Sequence, residues 1–372
     1  MFAISRRDFA FALAGCAGMG AATASRGNAL GLVESGTSSG SITEVPGIKV
    51  GQYTDSRRPT GCTAMLFEGE VTAGVDYDGS APGETQVVLL QPTSPIETIH
   101  AILFTGGGPM GLAAVAGVVR YLEERKIGFD WGVRDVRVPI VVGAVIDDLS
   151  VTGGKIRPDP EAGYKACQAA SSAPVEEGNA GAGAGATVGK MLRGFPGMKG
   201  GLGTVSLRLG EVVIGALVVV NAAGDIVDWR SAKIIAGARR PDGKGFADIV
   251  ETMKSRLAQK GPSAALEFYD PPLRSTTIGV VATNVAFNKT QLTKIAMMAN
   301  AGAARVIRPY HTTGDGDQLF ALSTNKLKAD VGVTVMGSLM AEVLSEAILR
   351  AIKAASSVEG WPAARDYPAG AS

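Results

Sequence analysis

The chain has 372 residues, which is long enough for one large layered domain with a substantial core, or for two average domains. Its 36 lysine and arginine residues balance 35 aspartate and glutamate residues, so no overall field attracts nucleic acid or an anionic membrane surface. With only two histidines, His100 and His311, a histidine-rich metal site is excluded, and we expect neither a metal nor a cofactor.

The first 29 residues predict an export signal. Ser5-Arg6-Arg7-Asp8-Phe9 precedes a short apolar stretch and a run of small residues, which is the layout of a twin-arginine signal peptide. We therefore expect residues 1–29 to be removed and the protein to be periplasmic or secreted. A second reading is a lipid anchor on Cys16, because Leu13-Ala14-Gly15-Cys16 matches a lipobox. No later apolar run approaches the roughly 20 residues that a membrane span needs.

Residues 30–372 predict a single domain of mixed strands and helices, because no linker divides them. Apolar and β-branched segments bounded by Gly, Pro or Asn predict strands at 63–68, 71–75, 100–105, 138–145, 204–209, 212–220, 277–283 and 319–323. Apolar residues at three- and four-residue spacing predict helices at 111–125, 246–259, 289–302 and 328–354. This order indicates sheets covered by helices. Cys62 and Cys167 fit no metal motif and are expected to be buried thiols.

Two glycine-rich runs can each be interpreted either as a phosphate-binding loop or as a segment that packs closely in the fold. Residues 106–111 satisfy G-x-G-x-x-G between a strand and a helix, but Pro109 removes an N–H that could face a pyrophosphate. Residues 178–190 resemble a phosphate loop, but Ala184 and Met191 stand where that loop needs Gly and Ser or Thr. For 106–111 the favoured interpretation is a glycine turn that lets a helix pack closely on a sheet. For 178–190 it is a small-residue helix start or a loop that lies close to another backbone.

Polar residues at strand ends also have two readings. Lys199 begins a glycine-rich segment before a strand, and Asn221 closes the strand 212–220, where either could be an ordinary turn residue. Asp315 and Asp317 are either solvated turn carboxylates or a paired-acid site.

Hydroxyl residues stand at the head of the buried strand 277–283. One reading of Ser275-Thr276-Thr277 is the β-propensity of threonine. The other is a self-cleaving junction, in which a hydroxyl attacks the preceding carbonyl and the new N-terminal residue carries both nucleophile and base. That chemistry needs no histidine, because the α-amine of the new N-terminal residue titrates at about pH 8 and can act as the base.

In this order, the segments resemble the DmpA-type peptidases along nearly the whole of residues 30–372. That family includes D-alanine esterase/amidases, β-peptidyl aminopeptidases and the nylon-oligomer hydrolase NylC. The matching segments are 45–51, 60–63, 73–76, 105–107, 138–141, 183–189, 199–204, 220–221, 277–284 and 315–317. The resemblance implies a mixed α/β fold, a four-layer αββα sandwich like that of N-terminal-nucleophile hydrolases. It also implies a precursor that cuts itself into chains 30–275 and 276–372 and assembles as a homo-oligomer.

The resemblance further implies roles for individual residues. The nucleophile falls on Thr276, with cleavage after Ser275. Because the family usually has Asn or Gly before the bond, cleavage one residue earlier, with Ser275 as nucleophile, stays open. Asn221 matches the oxyanion-stabilising asparagine, and Lys199 matches a lysine that adjoins the nucleophile.

The acidic pair Asp315 and Asp317 matches that of the NylC branch, where carboxylates hold the new α-ammonium or a water. One departure is that Asp147-Asp148 follow Ile146, where the family tends to place an aromatic residue. Their carboxylates could line the pocket mouth or lie in an exposed turn.

We therefore expect an exported, self-processing amidohydrolase and aminopeptidase that acts on amide or ester bonds of short peptides or related small amides. Within the same class, the alternatives are a NylC-like oligoamide hydrolase and acyl transfer similar to that of ornithine acetyltransferases. A third alternative is a secreted binding protein that stays uncut and has no activity.

Overall fold

The computed structural model describes residues 40–151, 153–263 and 275–367. The predicted signal segment 1–29 and Cys16 lie outside the described residues. The longer strands are Ile48–Thr54 (β1), Gly61–Asp76 (β2), Ile99–Thr105 (β4), Val141–Val145 (β7), Gly201–Leu209 (β10), Val212–Asn221 (β11), Thr276–Val285 (β14) and Gln318–Leu327 (β16). The short strands are Glu84–Thr85 (β3), Phe129–Asp130 (β5), Arg137–Val138 (β6), Thr187–Val188 (β8), Met198–Lys199 (β9), Asp225–Asp228 (β12), Lys233–Ala236 (β13) and Ile307–Arg308 (β15).

The α-helices are Val115–Glu123 (α1), Pro160–Gln168 (α2), Ile249–Lys260 (α3), Lys289–Ala304 (α4) and Val333–Ala354 (α5). Short 3-10 helices cover Ile42–Glu44, Val87–Leu90, Gly108–Ala114, Gly181–Gly183 and Ala364–Asp366. Among the residues described, no helix is both long enough and apolar enough to cross a membrane.

A nine-stranded sheet runs through the molecule in the order β10-β11-β14-β16-β2-β4-β7-β3, with β1 beside β2. The long strand β2 joins its two halves. The first part of β2 pairs with β1 and β4, and its last residues pair with β16. The pairs β14–β16 and β4–β7 are parallel. As a result, the last residue of β11, the first residue of β14 and the residues just before β16 lie together at one end of the sheet.

The two halves of the sheet face each other across an apolar core. That core includes Phe104 of β4, Leu217 of β11 and Val280 of β14. Helices α4 and α5 cover the outer face of the β10–β16 half, where Leu344 is buried. Helices α1 and α2 cover the other half through residues such as Val118. The predicted four-layer αββα sandwich is confirmed.

Several predicted boundaries need correction. The strands predicted at 63–68 and 71–75 are one strand, because the chain turns at Gly69, whose φ is +93°, and continues within β2. The strand predicted at 138–145 begins at Val141, since β6 pairs with β5 instead. The helix predicted from residue 111 is a 3-10 helix up to Ala114, and the helix predicted from 328 begins at Val333.

Cys62 and Cys167, the two cysteines within the described residues, are buried and form no disulfide, as predicted. Both lie in the apolar layer under α1 and α2. Burial raises the pKa of the Cys62 and Cys167 thiols, so neither has the character of a reactive thiolate.

Candidate active site

Thr276 lies at the end of the sheet where the predicted site residues meet. It is the first residue of β14, and it pairs in register with Asn221, the last residue of β11. Ser275 forms a parallel bridge with Asp315, just before β16. Thr276 is 6% exposed and Asn221 is fully buried. Strand pairing therefore brings together residues that are far apart in the chain.

The carbonyl group of Ser275 is held by two donors. Its oxygen accepts a 2.5 Å hydrogen bond from the Thr276 hydroxyl and a 3.0 Å bond from the Gly316 backbone N–H. A side chain at position 316 would not fit, because a Cβ there would lie 2.4 Å from the Ala81 carbonyl oxygen and 3.0 Å from Thr276 Oγ1. The glycine therefore allows the amide donor to approach the peptide bond between Ser275 and Thr276.

Asp317 binds the backbone immediately after Thr276. Its Oδ1 accepts a 2.6 Å hydrogen bond from the Thr277 N–H, and its Oδ2 accepts a 3.2 Å bond from the His311 N–H. The His311 ring nitrogen Nδ1 is 3.3 Å from the same Oδ2. The carboxylate of Asp317 is thus held at the Thr277 N–H, which follows the Thr276 nitrogen by one residue in the chain.

Asp315 is the second buried carboxylate of the site. Its Oδ2 accepts hydrogen bonds from the Thr312 hydroxyl at 2.5 Å and from the Thr312 N–H at 3.0 Å. Burial and, next, the negative charge of Asp317 raise the pKa of Asp315 to about 6, although the bonds from Thr312 and the charge of Lys190 oppose this shift. Asp315 therefore changes its charge in the mildly acidic range.

The amide of Asn221 has a fixed orientation. Its Oδ1 accepts hydrogen bonds from the Thr187 N–H at 2.9 Å, the Thr187 hydroxyl at 3.2 Å and Lys190 Nζ at 2.8 Å. Its Nδ2 donates to the Asp147 carbonyl oxygen at 3.2 Å. With donors on one side and an acceptor on the other, only one assignment of the amide oxygen and nitrogen satisfies all partners.

Lys199 is fully buried, and its ammonium donates to three backbone carbonyls. These belong to Gly183 at 2.9 Å, Ala186 at 2.9 Å and Gly200 at 3.0 Å. Burial lowers the pKa of Lys199 to about 7, against the opposing charge of Asp148. Ala186 directly precedes Thr187, so this lysine holds the loop that presents donors to Asn221.

The two carboxylates of the Asp147-Asp148 turn differ, and only that of Asp148 contradicts both interpretations that the sequence suggested. The Asp147 side chain is partly exposed in the turn, where its Oδ1 accepts a 2.9 Å hydrogen bond from the Leu149 N–H. Asp148 is fully buried and forms a 2.9 Å ion pair with Arg58, which is also buried. It also accepts hydrogen bonds from the Thr60 hydroxyl at 2.6 Å and the Gly107 N–H at 2.9 Å. This buried pair fixes the turn whose Asp147 carbonyl binds Asn221.

Both glycine-rich runs pack closely around this buried pair. A Cβ at Gly106 would lie 2.2 Å from Asp148 Oδ2, and a Cβ at Gly185 would lie 2.4 Å from the same atom. Backbone is equally close, because a Cβ at Gly111 would lie 1.9 Å from the Gly106 carbonyl oxygen and a Cβ at Gly185 would lie 2.5 Å from the Pro59 carbonyl oxygen, so close packing accounts for these glycines.

Sequence reasoning did not single out Lys190, Thr187 or the Gly316 amide. Lys190 is the last residue of the run 178–190, and a lysine after so many small residues was the only available signal. A backbone amide such as that of Gly316 leaves no signal in the sequence at all. Within the described ranges, no group of three or more His, Cys, Asp or Glu side chains could hold a metal ion.

Comparison with known proteins identifies the family. The model of peptidase family S58 matches residues 40–365. The chain belongs to peptidase family S58. This confirms the resemblance to the DmpA-type peptidases, and it identifies the protein as a hydrolase of peptide or amide bonds rather than a non-catalytic binding protein.

Three proteins illustrate how similar this chain is to known proteins. An uncharacterized aminopeptidase of Mycobacterium leprae (strain TN) is 38% identical over 363 residues, covering 87% of this chain and 92% of the relative. A 6-aminohexanoate-oligomer endohydrolase of Kocuria sp. (strain KY2) is 30% identical over 331 residues, covering 83% and 85%. The L-aminopeptidase D-Ala-esterase/amidase of Ochrobactrum anthropi, a variant of the Ntn-hydrolase fold, has a TM-score of 0.61 at 22% identity, covering 86% and 88%. The last comparison shows the shared fold.

Proposed function

We propose that the protein is a self-processing amidohydrolase with aminopeptidase activity, and that its nucleophile is the Thr276 hydroxyl. The observation that carries this proposal is the arrangement at the peptide bond between Ser275 and Thr276. Thr276 Oγ1 lies 2.5 Å from the Ser275 carbonyl oxygen, and the Gly316 N–H donates to that oxygen at 3.0 Å. A nucleophile and an oxyanion donor thus meet at one carbonyl group.

Self-cleavage would proceed through an ester. Thr276 Oγ1 attacks the Ser275 carbonyl carbon, and the Gly316 N–H stabilises the negative oxygen that forms. The C–N bond then breaks, the nitrogen of Thr276 takes up the proton lost by Oγ1, and Ser275 is left as an ester on Oγ1. Water hydrolyses that ester, which gives a Ser275 carboxylate and a Thr276 with a free amine and hydroxyl.

The processed enzyme would use the same nucleophile on an external amide. The α-amine of Thr276, which titrates at about pH 8, accepts the hydroxyl proton as Oγ1 attacks the substrate carbonyl. Asn221 donates to the substrate oxygen, and the acyl group on Oγ1 is released by water. Asp315 and Asp317 hold the charged form of the α-amine, and the 2.6 Å hydrogen bond that Asp317 Oδ1 accepts from the Thr277 N–H supports this placement.

Short peptides and related small amides are the proposed substrates. The relative at 38% identity is named an aminopeptidase, which supports cleavage at a peptide N-terminus. A second candidate is hydrolysis of oligoamides, favoured by the relative named a 6-aminohexanoate-oligomer endohydrolase at 30% identity.

We also propose export by the twin-arginine route, with removal of residues 1–29, and assembly of the processed chains into a homo-oligomer. The motif at residues 5–9 supports export, and Cys16 supplies the alternative of a lipid anchor. Replacing Arg6 and Arg7 by lysine should retain the precursor inside the cell, as measured by fractionation.

Variants at the junction test the nucleophile. Thr276→Ala should stay uncut and inactive, whereas Thr276→Ser should keep part of both activities. The matched control is Thr277→Val, because the Thr277 hydroxyl is buried without a hydrogen-bond partner within the described residues, so its loss should leave cutting intact. Cleavage of Thr276→Ala at the same bond would contradict the assignment. Cleavage one residue earlier, between Arg274 and Ser275, that is lost in Ser275→Ala would instead identify Ser275 as the nucleophile.

A further inference from the structure

His311 lies in the loop before the acidic pair, with its backbone in an unusual conformation. Its φ is +55°, a left-handed value that residues other than glycine rarely adopt. In this conformation its N–H donates to Asp317 Oδ2 at 3.2 Å, and its ring nitrogen Nδ1 is 3.3 Å from the same oxygen. The backbone of His311 therefore presents both its amide and its ring to the carboxylate of Asp317.

Asn300 of α4 determines which ring nitrogen of His311 carries the proton. The Oδ1 atom of Asn300 accepts a 2.9 Å hydrogen bond from the Tyr310 hydroxyl. Its Nδ2 donates to Asp76 Oδ2 at 2.9 Å, and the same nitrogen lies 3.0 Å from His311 Nε2. Because an amide nitrogen can only donate, His311 Nε2 must accept this second bond. The ring proton is therefore on Nδ1, the nitrogen beside Asp317.

This Nδ1–H is a buried donor whose hydrogen bond is incomplete. Nδ1 makes no hydrogen bond within the described residues, although Asp317 Oδ2 is only 3.3 Å away. The neighbouring contact at Asp315 is complete, because both the N–H and the hydroxyl of Thr312 donate to Asp315 Oδ2. A buried donor without a partner is costly and calls for an explanation such as a catalytic role. The uncut chain thus holds a donor beside Asp317 that its present geometry does not use.

We propose that His311 is a positioning residue whose Nδ1–H binds Asp317 Oδ2 after self-cleavage and holds that carboxylate against the new α-ammonium of Thr276. This inference rests on the proposed function. In the uncut chain, Asp317 Oδ1 is held by the Thr277 N–H at 2.6 Å. Cleavage gives the start of β14 a free end and a positive charge, towards which the carboxylate can turn. A small rotation would align Oδ2 with the Nδ1–H, and a hydrogen bond to a carboxylate is a strong one.

The proposed bond belongs to the processed enzyme. Removing the ring should leave self-cleavage nearly unchanged, since the uncut chain does not form this bond. The same change should lower turnover, because the α-amine that acts as the base would lose its orientation. A merely structural role of His311 predicts a different pattern, in which cutting and turnover fall together.

The test compares His311→Gly, His311→Asn and His311→Gln with wild type, using the full self-cleaved protein and an aminoacyl p-nitroanilide as probe. Glycine keeps the positive φ and the backbone N–H. His311→Gly should therefore lower kcat by about 10- to 100-fold, the effect of one hydrogen bond to a charged group, while the rate of precursor cutting changes less than about 3-fold. Asparagine also tolerates this conformation and its Nδ2 can replace Nδ1, so His311→Asn should recover a large part of kcat. The longer amide of His311→Gln extends towards Asn300, and its kcat should lie near that of His311→Gly.

Lys126→Gly is the matched control for loss of a side chain at positive φ. Lys126 follows α1, is exposed and has a φ of +56°. This variant should cut and turn over like wild type. An unchanged kcat in cut His311→Gly, an equal loss of cutting and kcat, or recovery in His311→Gln but not in His311→Asn would overturn the inference.

NMR of protein labelled only at histidine tests the tautomer and the bond without any variant at position 311. The chain has only two histidines. His100 Nδ1 accepts the Ile140 N–H at 3.0 Å, so its proton is on Nε2 and its signals differ from those of His311. We expect a proton on His311 Nδ1 in both uncut Thr276→Ala and cut wild type, shifted to lower field in the cut protein.

The NMR result can also contradict the inference. A proton on His311 Nε2, or an Nδ1–H signal that is identical in the two proteins, would overturn it. Failure of the proposed function gives a different result, namely an uncut wild type or an active Thr276→Ala.

Discussion

Gly316→Ala is the substitution that probes the proposed self-cleavage geometry most locally. The added methyl would lie 2.4 Å from the Ala81 carbonyl oxygen and 3.0 Å from Thr276 Oγ1. An ordinary van der Waals contact begins at 3.4 Å, so one partner must move by about 1 Å. Ala81 cannot withdraw easily, because its N–H donates at 2.9 Å to the carbonyl of Asp315, the residue before Gly316.

The displacement should remove the donor to the Ser275 carbonyl. Moving the Gly316 N–H by about 1 Å stretches its 3.0 Å hydrogen bond beyond the usual limit. Loss of one oxyanion donor lowers a rate by about 100- to 1000-fold, and displacement of the nucleophile adds to this. We therefore expect Gly316→Ala to slow self-cleavage at least about 100-fold.

The assay follows conversion of purified precursor into two chains by intact mass, at a temperature well below the unfolding transition of each variant. Gly332→Ala is the matched control, because a Cβ at Gly332, just before α5, has no atom within 4 Å. It should cut at the wild-type rate. Folded Gly316→Ala that also cuts at the wild-type rate would refute the assignment of the Gly316 amide as oxyanion donor.

Three further predictions concern charge. The acidic limb of the pH profile of self-cleavage should lie near pH 6, where Asp315 ionises in the uncut chain, and Asp317→Asn should move it to lower pH by removing the charge that raises the pKa of Asp315. Arg58→Met should lower the free energy of unfolding by about 3–5 kcal/mol, because it leaves Asp148 buried without its partner. Burial lowers the folded-state pKa of Lys199 to about 7, so the unfolded chain binds more protons above pH 7 and stability rises with pH. Lys199→Met should lose that rise, about 1 kcal/mol per pH unit between pH 7 and 9.

Simple comparisons check these three predictions. An acidic limb that stays in place in Asp317→Asn would contradict the coupling of the two carboxylates. Arg137→Met, which breaks an exposed pair with Asp130, should cost at most about 1 kcal/mol in denaturant unfolding. An equal cost for Arg58→Met would show that its pair is not buried. Identical pH slopes for wild type and Lys199→Met would contradict the lowered pKa.

The fold could be predicted where the pattern of apolar residues extends over many positions. Four elements lie close to their predicted ranges, namely β11, β14, α4 and α5. Each strand is a continuous run of buried apolar residues, and each helix has a buried apolar face, so both patterns are visible in the sequence. Helix α2 was not predicted. It has only nine residues, and its start depends on Asp159, whose side chain accepts the Ala162 N–H at 2.9 Å. A short helix with small residues carries little periodic signal.

The site could be predicted only in part, for a physical reason. The resemblance indicated Thr276, Asn221 and Asp317, but their meeting depends on the pairing of β11 with β14 and of β14 with β16, which is a long-range property. The link from Lys190 to Asn221 depends on the reach of one side chain. The Gly316 donor is a backbone N–H, which every residue type except proline would supply but only glycine can bring close enough.

Intact mass of the purified protein, with N-terminal sequencing of any small fragment, tests the central claim most directly. We predict two chains, the smaller of which begins Thr276-Thr277-Ile278 and ends with the C-terminus of the sequence. That result would identify both the scissile bond and the residue that becomes the nucleophile. A single chain that stays uncut over days, or a small fragment that begins at another residue, would contradict the account.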